Sequence, residues 1–284
     1  MRVLLTGAGG QLGVDIVRLA AREDVDLVPF DRLALDITDP VAVLSTVKEV
    51  SPDVIVHAAA YTAVDDCESN EKHAFDVNAA ATSTVVSAAQ EVGARVMYIS
   101  TDYVFDGEKQ EPYVEDDVPE PASVYGKSKL AGERAIAELG ERGLVIRTSW
   151  VCGANGSNMV KTILGVAASR EVLIFVDDQF GKPTFTADLA ETILLLAGRD
   201  DSGIMHVTNE GRASWFEFCQ DVLEAAGLDR RRVQPCRTSD LQPPRPAPRP
   251  KNSVLANTRF GELGIPLLRD YREPLAELVR DLTS

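Results

Sequence analysis

The chain has 284 residues, enough to bury one large α/β core, or a main domain carrying a smaller one, without covalent staples. Its 29 basic and 44 acidic side chains give a formal net charge of −15, and no basic stripe or basic–aromatic alternation runs along it, which excludes a nucleic-acid backbone as the natural partner. No apolar run approaches the roughly 18 residues of a membrane helix, and Cys67, Cys152, Cys219 and Cys236 are too scattered for a C-x-x-C metal pair or a disulfide framework, so a soluble, cytoplasmic protein with no membrane partner is expected.

The first predicted strand, Arg2–Thr6, is too short for the apolar region of a signal peptide and runs into glycines. There follow Gly7-Ala8-Gly9-Gly10-Gln11-Leu12-Gly13 and a helix over Gln11–Arg22, with Leu12, Ile16, Leu19 and Ala20 on one stripe. Glycines at Gly7, Gly10 and Gly13 permit a tight turn, close approach of the backbone to a pyrophosphate, and close packing of helix on strand. The helix N-terminus adds N–H donors and the positive end of a dipole. A glycine pattern alone says little, but here the strand before it and the helix after it are both present.

Val25–Asp31 is the second predicted strand. Asp31 at its end is placed to accept hydrogen bonds from the adenosine ribose of NADH, while Arg32 next to it suits the 2′-phosphate of NADPH, so the cofactor preference stays open between the two. Asp39-Pro40 offers a helix N-cap and a first-turn proline. With Asp53–His57, Arg95–Thr101 and Leu144–Ser149 as further strands, the alternation with helices implies a Rossmann-like, doubly wound parallel sheet.

Within this half, Tyr125 and Lys129 stand i and i+4 on a predicted helix that follows Pro121-Ala122-Ser123, close enough for an ammonium to act on a phenol. A phenol near its reference pKa of about 10 is a poor proton relay, and a desolvated cation beside it eases transfer. Such a pair alone is a surface contact worth a few tenths of a kcal/mol. The strand end Ser100-Thr101-Asp102 changes the odds, because the C-terminal edge of a parallel sheet is where ligands sit, and it brings the Thr101 hydroxyl beside Tyr125.

Beyond Trp150 the pattern is less regular: helices near Asn158–Ala168, Ala187–Ala197 and Trp215–Ala226, and strands near Leu173–Val176 and Ile204–Val207. The expected organisation is a dinucleotide-binding domain over residues 1–150, with a returning segment at about 184–208, and a smaller C-terminal substrate-binding domain over 151–284. The proline-rich stretch Gln242–Pro250 reads as a rigid loop packed on the protein's own surface.

Together, the glycine turn, Tyr-x-x-x-Lys and the upstream Ser-Thr resemble the extended short-chain dehydrogenase/reductase superfamily. Ser100-Thr101-Asp102-Tyr103-Val104-Phe105-Asp106-Gly107, the stretch from Val124 to Glu133, Arg147-Thr148-Ser149-Trp150-Val151 and Asp178-Gln179-Phe180-Gly181-Lys182-Pro183-Thr184 are similar to its dTDP-4-dehydrorhamnose reductase family, over essentially the whole chain. The resemblance implies reduction of the 4-keto group of dTDP-4-dehydro-β-L-rhamnose by NADPH or NADH. It implies that Tyr125 protonates the nascent alkoxide, Lys129 holds the nicotinamide ribose and tunes Tyr125, and Thr101 hydrogen-bonds the carbonyl.

Cofactor contacts implied by the family are Gly10, Gln11, Leu12, Asp31, Asp36, Ile37, Ala60, Tyr61 and Thr62, besides the reactive pair. Implied substrate contacts are Thr101, Asp102 and Trp150, while Arg249 and Asn252 lie in a stretch resembling the family's R-P-x-N-S and are candidates for the nucleotide diphosphate. Some members bind magnesium at a dimer contact near the positions of Asp15 and Asp188; solvated helix faces explain both acids equally well, so magnesium is possible but no metal site is predicted, and the chain is expected to be a monomer or homodimer. Nucleotide-sugar dehydratases of similar sequence carry Thr-Asp-Glu where this chain has Thr101-Asp102-Tyr103, and so lack a counterpart here for their eliminating carboxylate. Epimerases of the superfamily and a non-catalytic, cofactor-binding subunit are the other readings, and turnover separates the latter from an enzyme.

Overall fold

A computed structural model describes residues 1–23 and 25–283. Five strands, β1 (Arg2–Thr6), β2 (Asp26–Phe30), β3 (Val54–His57), β4 (Arg95–Thr101) and β5 (Gly143–Thr148), are joined by a sixth, Gly203–His206, in one parallel sheet. The order across it is Gly203–His206, β5, β4, β3, β1, β2. The chain therefore steps one way from β1 to β2 and the other way from β1 to β3, and at this reversal a crevice opens beyond the strand ends.

Helices in chain order are α1 (Gln11–Arg22), α2 (Pro40–Val50), α3 (Val64–Ser69), α4 (Glu71–Phe75), α5 (Ala81–Val92), α6 (Val124–Ala137), α7 (Met159–Ser169), α8 (Thr186–Ala197), α9 (Trp215–Ala225), α10 (Thr258–Glu262) and α11 (Arg272–Thr283). Successive side chains of a strand point to opposite faces, so a sheet covered on both sides needs apolar residues at every position. In β1 this is what is seen: Val3 and Leu5 pack with Ile16 of α1 and Leu189 and Ile193 of α8, while Leu4 packs with Val43 of α2 and Val85 of α5.

The local signals act where the sequence places them. Asp39 caps α2, its carboxylate accepting from the N–H groups of Val41 (2.9 Å) and Ala42 (3.1 Å), and Pro40 occupies the first turn. Strands β1 and β4 and helix α1 have the predicted bounds; β2, β3 and β5 differ from theirs by a residue at one end or both.

A smaller layer beyond Trp150 has its own core, built from α7, α9 and α11 around Phe185, Phe218 and Tyr271. Helix α8 and the strand Gly203–His206 return to the main sheet. The chain also returns a second time, which the sequence reading did not anticipate: Phe260 of α10 and Ile265 are buried in the same cluster as α1 and α8.

Helix α6 is fastened to the sheet by a buried ion pair. Glu133 accepts from Arg147 of β5 through Nε (3.0 Å) and Nη2 (2.7 Å), and from the Ser100 hydroxyl of β4 (2.5 Å). The side chains are only 1% and 5% exposed for Arg147 and Glu133. Among the described residues no helix is long and apolar enough to cross a membrane.

Candidate active site

At the reversal of strand order the backbone of the first turn is laid bare. Gly7 sits at φ +75°, and a Cβ there would lie 2.7 Å from the Ala59 nitrogen; a Cβ on Gly13 would lie 2.2 Å from the Gly7 carbonyl oxygen. Gly7 thus makes the turn and Gly13 lets α1 pack on it. The N-cap of α1 is Gly10, with no side chain to accept from the first-turn N–H groups. Those donors, at the positive end of a helix, suit a phosphate.

A cavity of about 400 Å³ lies over this turn. Gly7 and Gly10 line it, and so do Asp31, Asp36, Ile37, Ala60 and Tyr61, together with Arg32. Asp31 accepts from the N–H groups of Leu33 and Ala34 (both 2.9 Å). The Thr38 hydroxyl and N–H hold the Asp36 carboxyl below the usual carboxylate range. An uncapped helix terminus on open glycine backbone, with a carboxylate at the end of β2, fits the pyrophosphate and ribose of a nicotinamide dinucleotide.

Four expected cofactor residues lie differently. The Gln11 side chain turns away to accept from Asn158 Nδ2 (2.9 Å) at the start of α7, and the Leu12 side chain is in the core, so only their backbone N–H groups can meet a phosphate. Gly13 acts through packing, and Thr62 is exposed outside the cavity lining.

The reacting groups are set by α6 and the end of β4. Ser123 caps α6 by accepting from the Gly126 N–H (3.1 Å), which puts Tyr125 in the first turn. The phenol is buried beside the Thr101 hydroxyl; burial pushes its pKa above the ordinary value, Thr101 opposes, and Asp102 and Tyr103 add to the rise. Asp102 itself is 2% exposed. Its Oδ1 accepts from the Thr101 hydroxyl (3.0 Å), whereas Oδ2 has no hydrogen-bond partner, the nearby Ser253 hydroxyl donating to the Phe180 carbonyl (3.3 Å). Burial pulls this carboxyl up to about 6.

Lys129 shares the helix with Tyr125, yet its Nζ donates to the Ile99 carbonyl (2.6 Å) and lies 3.8 Å from the Tyr98 ring centroid. A buried ammonium takes the nearest acceptor and π face, and no hydrogen bond to the Tyr125 phenol forms among the described residues. Burial pulls its pKa down to about 7, with Glu133 opposing.

A residue the sequence reading missed joins the two halves of the site. Asn78 lies in a π-helical turn, Asp76–Ala80, between α4 and α5. Its side chain accepts from the Tyr61 N–H (2.8 Å) and donates to the Tyr61 carbonyl and the Ser128 hydroxyl (3.0 Å each). One amide thereby ties the cofactor-side loop to α6. A lone asparagine in a helical stretch carries no sequence signal for this.

Three of the expected substrate-side residues engage other parts of the protein. Trp150, at φ +47°, is stacked on Trp215 with centroids 3.5 Å apart and planes 5° from parallel, and Gly181 abuts the same indole. It is Trp215 that lines a second cavity, of about 400 Å³, with Tyr103, Phe175, Gln179, Arg245 and Arg249. Arg249 gives both terminal nitrogens to Asp65 (2.8 Å each), and Asn252 donates to the carbonyls of Lys109, Gln110 and Glu111 (2.8, 3.3 and 3.1 Å). Its amide is spent on closing a loop. Tyr103 connects this cavity to the reacting phenol, its ring packed edge-on to Tyr125 at 5.7 Å.

Asp15 and Asp188 do not lie on solvated helix faces: both are buried, Asp15 accepting from the Thr186 hydroxyl and Asp188 pairing with Arg269 (3.0 Å) and accepting from Asn209 (2.6 Å). Among the described residues no group of three or more His, Cys, Asp or Glu is arranged to hold a metal.

Comparison with known proteins gives concordant results. The family described as RmlD substrate binding domain matches residues 1–284. A dTDP-4-dehydrorhamnose reductase of Streptomyces griseus is 41% identical over 282 residues, spanning 97% of this chain and 92% of the relative. The crystal structure of a dTDP-4-dehydrorhamnose reductase from Clostridium acetobutylicum has a TM-score of 0.95 at 39% identity, covering 100% of both chains. That of the Bacillus anthracis enzyme in complex with NADP has a TM-score of 0.94 at 38% identity, covering 99% of each.

Proposed function

Because this chain belongs to the RmlD substrate binding domain family, we propose that it is an NAD(P)H-dependent oxidoreductase that reduces the 4-keto group of dTDP-4-dehydro-β-L-rhamnose to give dTDP-L-rhamnose. The observation that carries this reading is the placing of a buried Tyr125, in the first turn of α6, next to Thr101 at the end of β4, on the sheet edge that also bears the glycine-turn cavity, in a chain matched to such reductases over its full length.

When bound, the reduced nicotinamide supplies the two electrons for the carbonyl. The residues of this chain do the rest. Tyr125 offers its hydroxyl to the carbonyl oxygen and gives its proton as negative charge develops there, while the Thr101 hydroxyl, which donates to Asp102 in this structure, turns to the same oxygen. A phenol pushed up by burial is a reluctant donor, so the charge left on it has to be balanced; Lys129, one turn further along α6 and with its pKa brought down to about 7 by burial, is assigned that role. Asp102 lies beside Thr101 with an unused oxygen for a substrate hydroxyl. The first-turn N–H groups of α1 hold the pyrophosphate, and Asp31, with Asp36 and Ile37, meets the adenosine end. The four cysteines form no disulfide, which suits a reducing cytoplasm.

The test is turnover. Cofactor absorbance should fall when the keto-sugar nucleotide is supplied with NADPH or NADH, and product analysis should show the 4-hydroxy sugar. Tyr125→Phe should lose roughly 10²-fold or more in kcat with cofactor affinity kept. Tight cofactor binding without oxidation would instead identify a non-catalytic nucleotide-binding subunit.

A further inference from the structure

The second cavity has an unusual charge for this chain. The protein as a whole carries −15, yet the charged groups lining this cavity are Arg245 and Arg249, with no carboxylate among them. The two guanidiniums differ in what they have left to offer. Arg249 is 15% exposed and makes a two-pronged pair with Asp65, whose Oδ1 also accepts from the Ala247 N–H (3.1 Å). Its charge is matched. Arg245 is 59% exposed, and its nearest carboxylate oxygen, on the already paired Asp65, lies 3.7 Å away, beyond hydrogen-bond reach. Among the described residues it makes no hydrogen bond to the protein.

We infer that Arg245 is the cation that receives the diphosphate of the nucleotide-linked substrate, a role that rests on the reductase reading and that the sequence had offered to Arg249. The segment is built to present it. Pro243, Pro244, Pro246 and Pro248 restrict the backbone on either side, and the Ala247 and Arg249 contacts pin the segment to α3 through Asp65. The same cavity offers the flat ring of Trp215 for a base and reaches Tyr125 through Tyr103. A planar fork with unused donors beside an aromatic face is the arrangement that recognises a nucleoside diphosphate.

The experiment is calorimetric titration of dTDP into the full chain saturated with NADP⁺, for the wild type, Arg245→Gln and Arg245→Lys. Arg245→Gln is expected to weaken dTDP binding by about tenfold or more, with NADP⁺ affinity unchanged, and Arg245→Lys to recover part of the loss. Wild-type dTDP affinity is expected to fall as salt rises, as it must for an exposed cation. Arg245→Gln binding dTDP within twofold of the wild type, or salt-independent wild-type binding, overturns the assignment of Arg245 and leaves the reductase reading standing. Wild-type protein that binds NADP⁺ but no dTDP overturns that reading, and this inference with it.

Discussion

Replacing Glu133 by glutamine should be among the most damaging single changes available to this fold. The carboxylate takes two hydrogen bonds from Arg147 and one from Ser100, and the Arg147 Nη1 already lacks a partner, so the guanidinium has no second anion to turn to. At 1% exposure it cannot reach water either. Breaking a buried pair from one side costs about 3–5 kcal/mol, because the surviving charge stays buried and unmatched. Against a total stability of about 5–15 kcal/mol for a typical domain, that is a large share. Urea unfolding followed by circular dichroism measures it as a fall in midpoint at unchanged slope. Removing both charges, as Glu133→Leu with Arg147→Met, should restore most of the loss. Glu133 is also the group that opposes the burial-driven fall of the Lys129 pKa. In Glu133→Gln that pKa drops further, and an activity limb needing the ammonium moves to lower pH. A loss below about 1 kcal/mol, or a double variant as unstable as the single one, would refute the reasoning.

Two further outcomes test other parts of the site. Gly13→Ala sets a Cβ 2.2 Å from the Gly7 carbonyl oxygen and should lower the melting temperature sharply, whereas Gly9→Ala, whose Cβ meets only Asp31 Cβ at 3.4 Å, should leave it nearly unchanged; equal effects would mean that helix packing does not govern the turn. Asp102 binds its proton more tightly folded, at about 6, than unfolded, near 4, so the folded wild type holds the extra proton between those values and loses stability as pH rises through them. Asp102→Asn has no such dependence. Its stability relative to the wild type should therefore rise from pH 4 to pH 7, by an amount of the order of 3 kcal/mol, and a flat or falling difference in melting temperature would count against a desolvated carboxylate.

What could be read from the chain beforehand was local. The glycine turn with its flanking strand and helix, the Asp39-Pro40 cap and the i, i+4 relation of Tyr125 and Lys129 each depend on a few neighbouring residues, and the fold contains all of them. The readings that moved depend on distant partners. Trp150 sits at a strand end, but Trp215 from another helix covers its face. Arg249 meets an acid from α3, Gln11 meets the N-cap of α7, and Asn252 meets three carbonyls of a loop, none of them neighbours in sequence. Helical spacing put Lys129 on the right face but could not choose among acceptors, and Ile99 and Tyr98 of β4 decided that. The π-helical turn at Asn78 breaks a periodicity that a sequence pattern takes to be regular.

The late return of Phe260 and Ile265 to the cluster that holds α1 bears on biosynthesis. The hydrophobic layer beneath the cofactor turn, begun by Val3 and Leu5, is completed by Phe260 and Ile265. On the ribosome the sheet made earlier must wait with that apolar surface uncovered until Phe260 and Ile265 have emerged. A nonsense mutation ahead of codon 260 would strip the dinucleotide half of part of its interior, so truncated products should be prey for chaperones and proteases and not free-standing nucleotide binders.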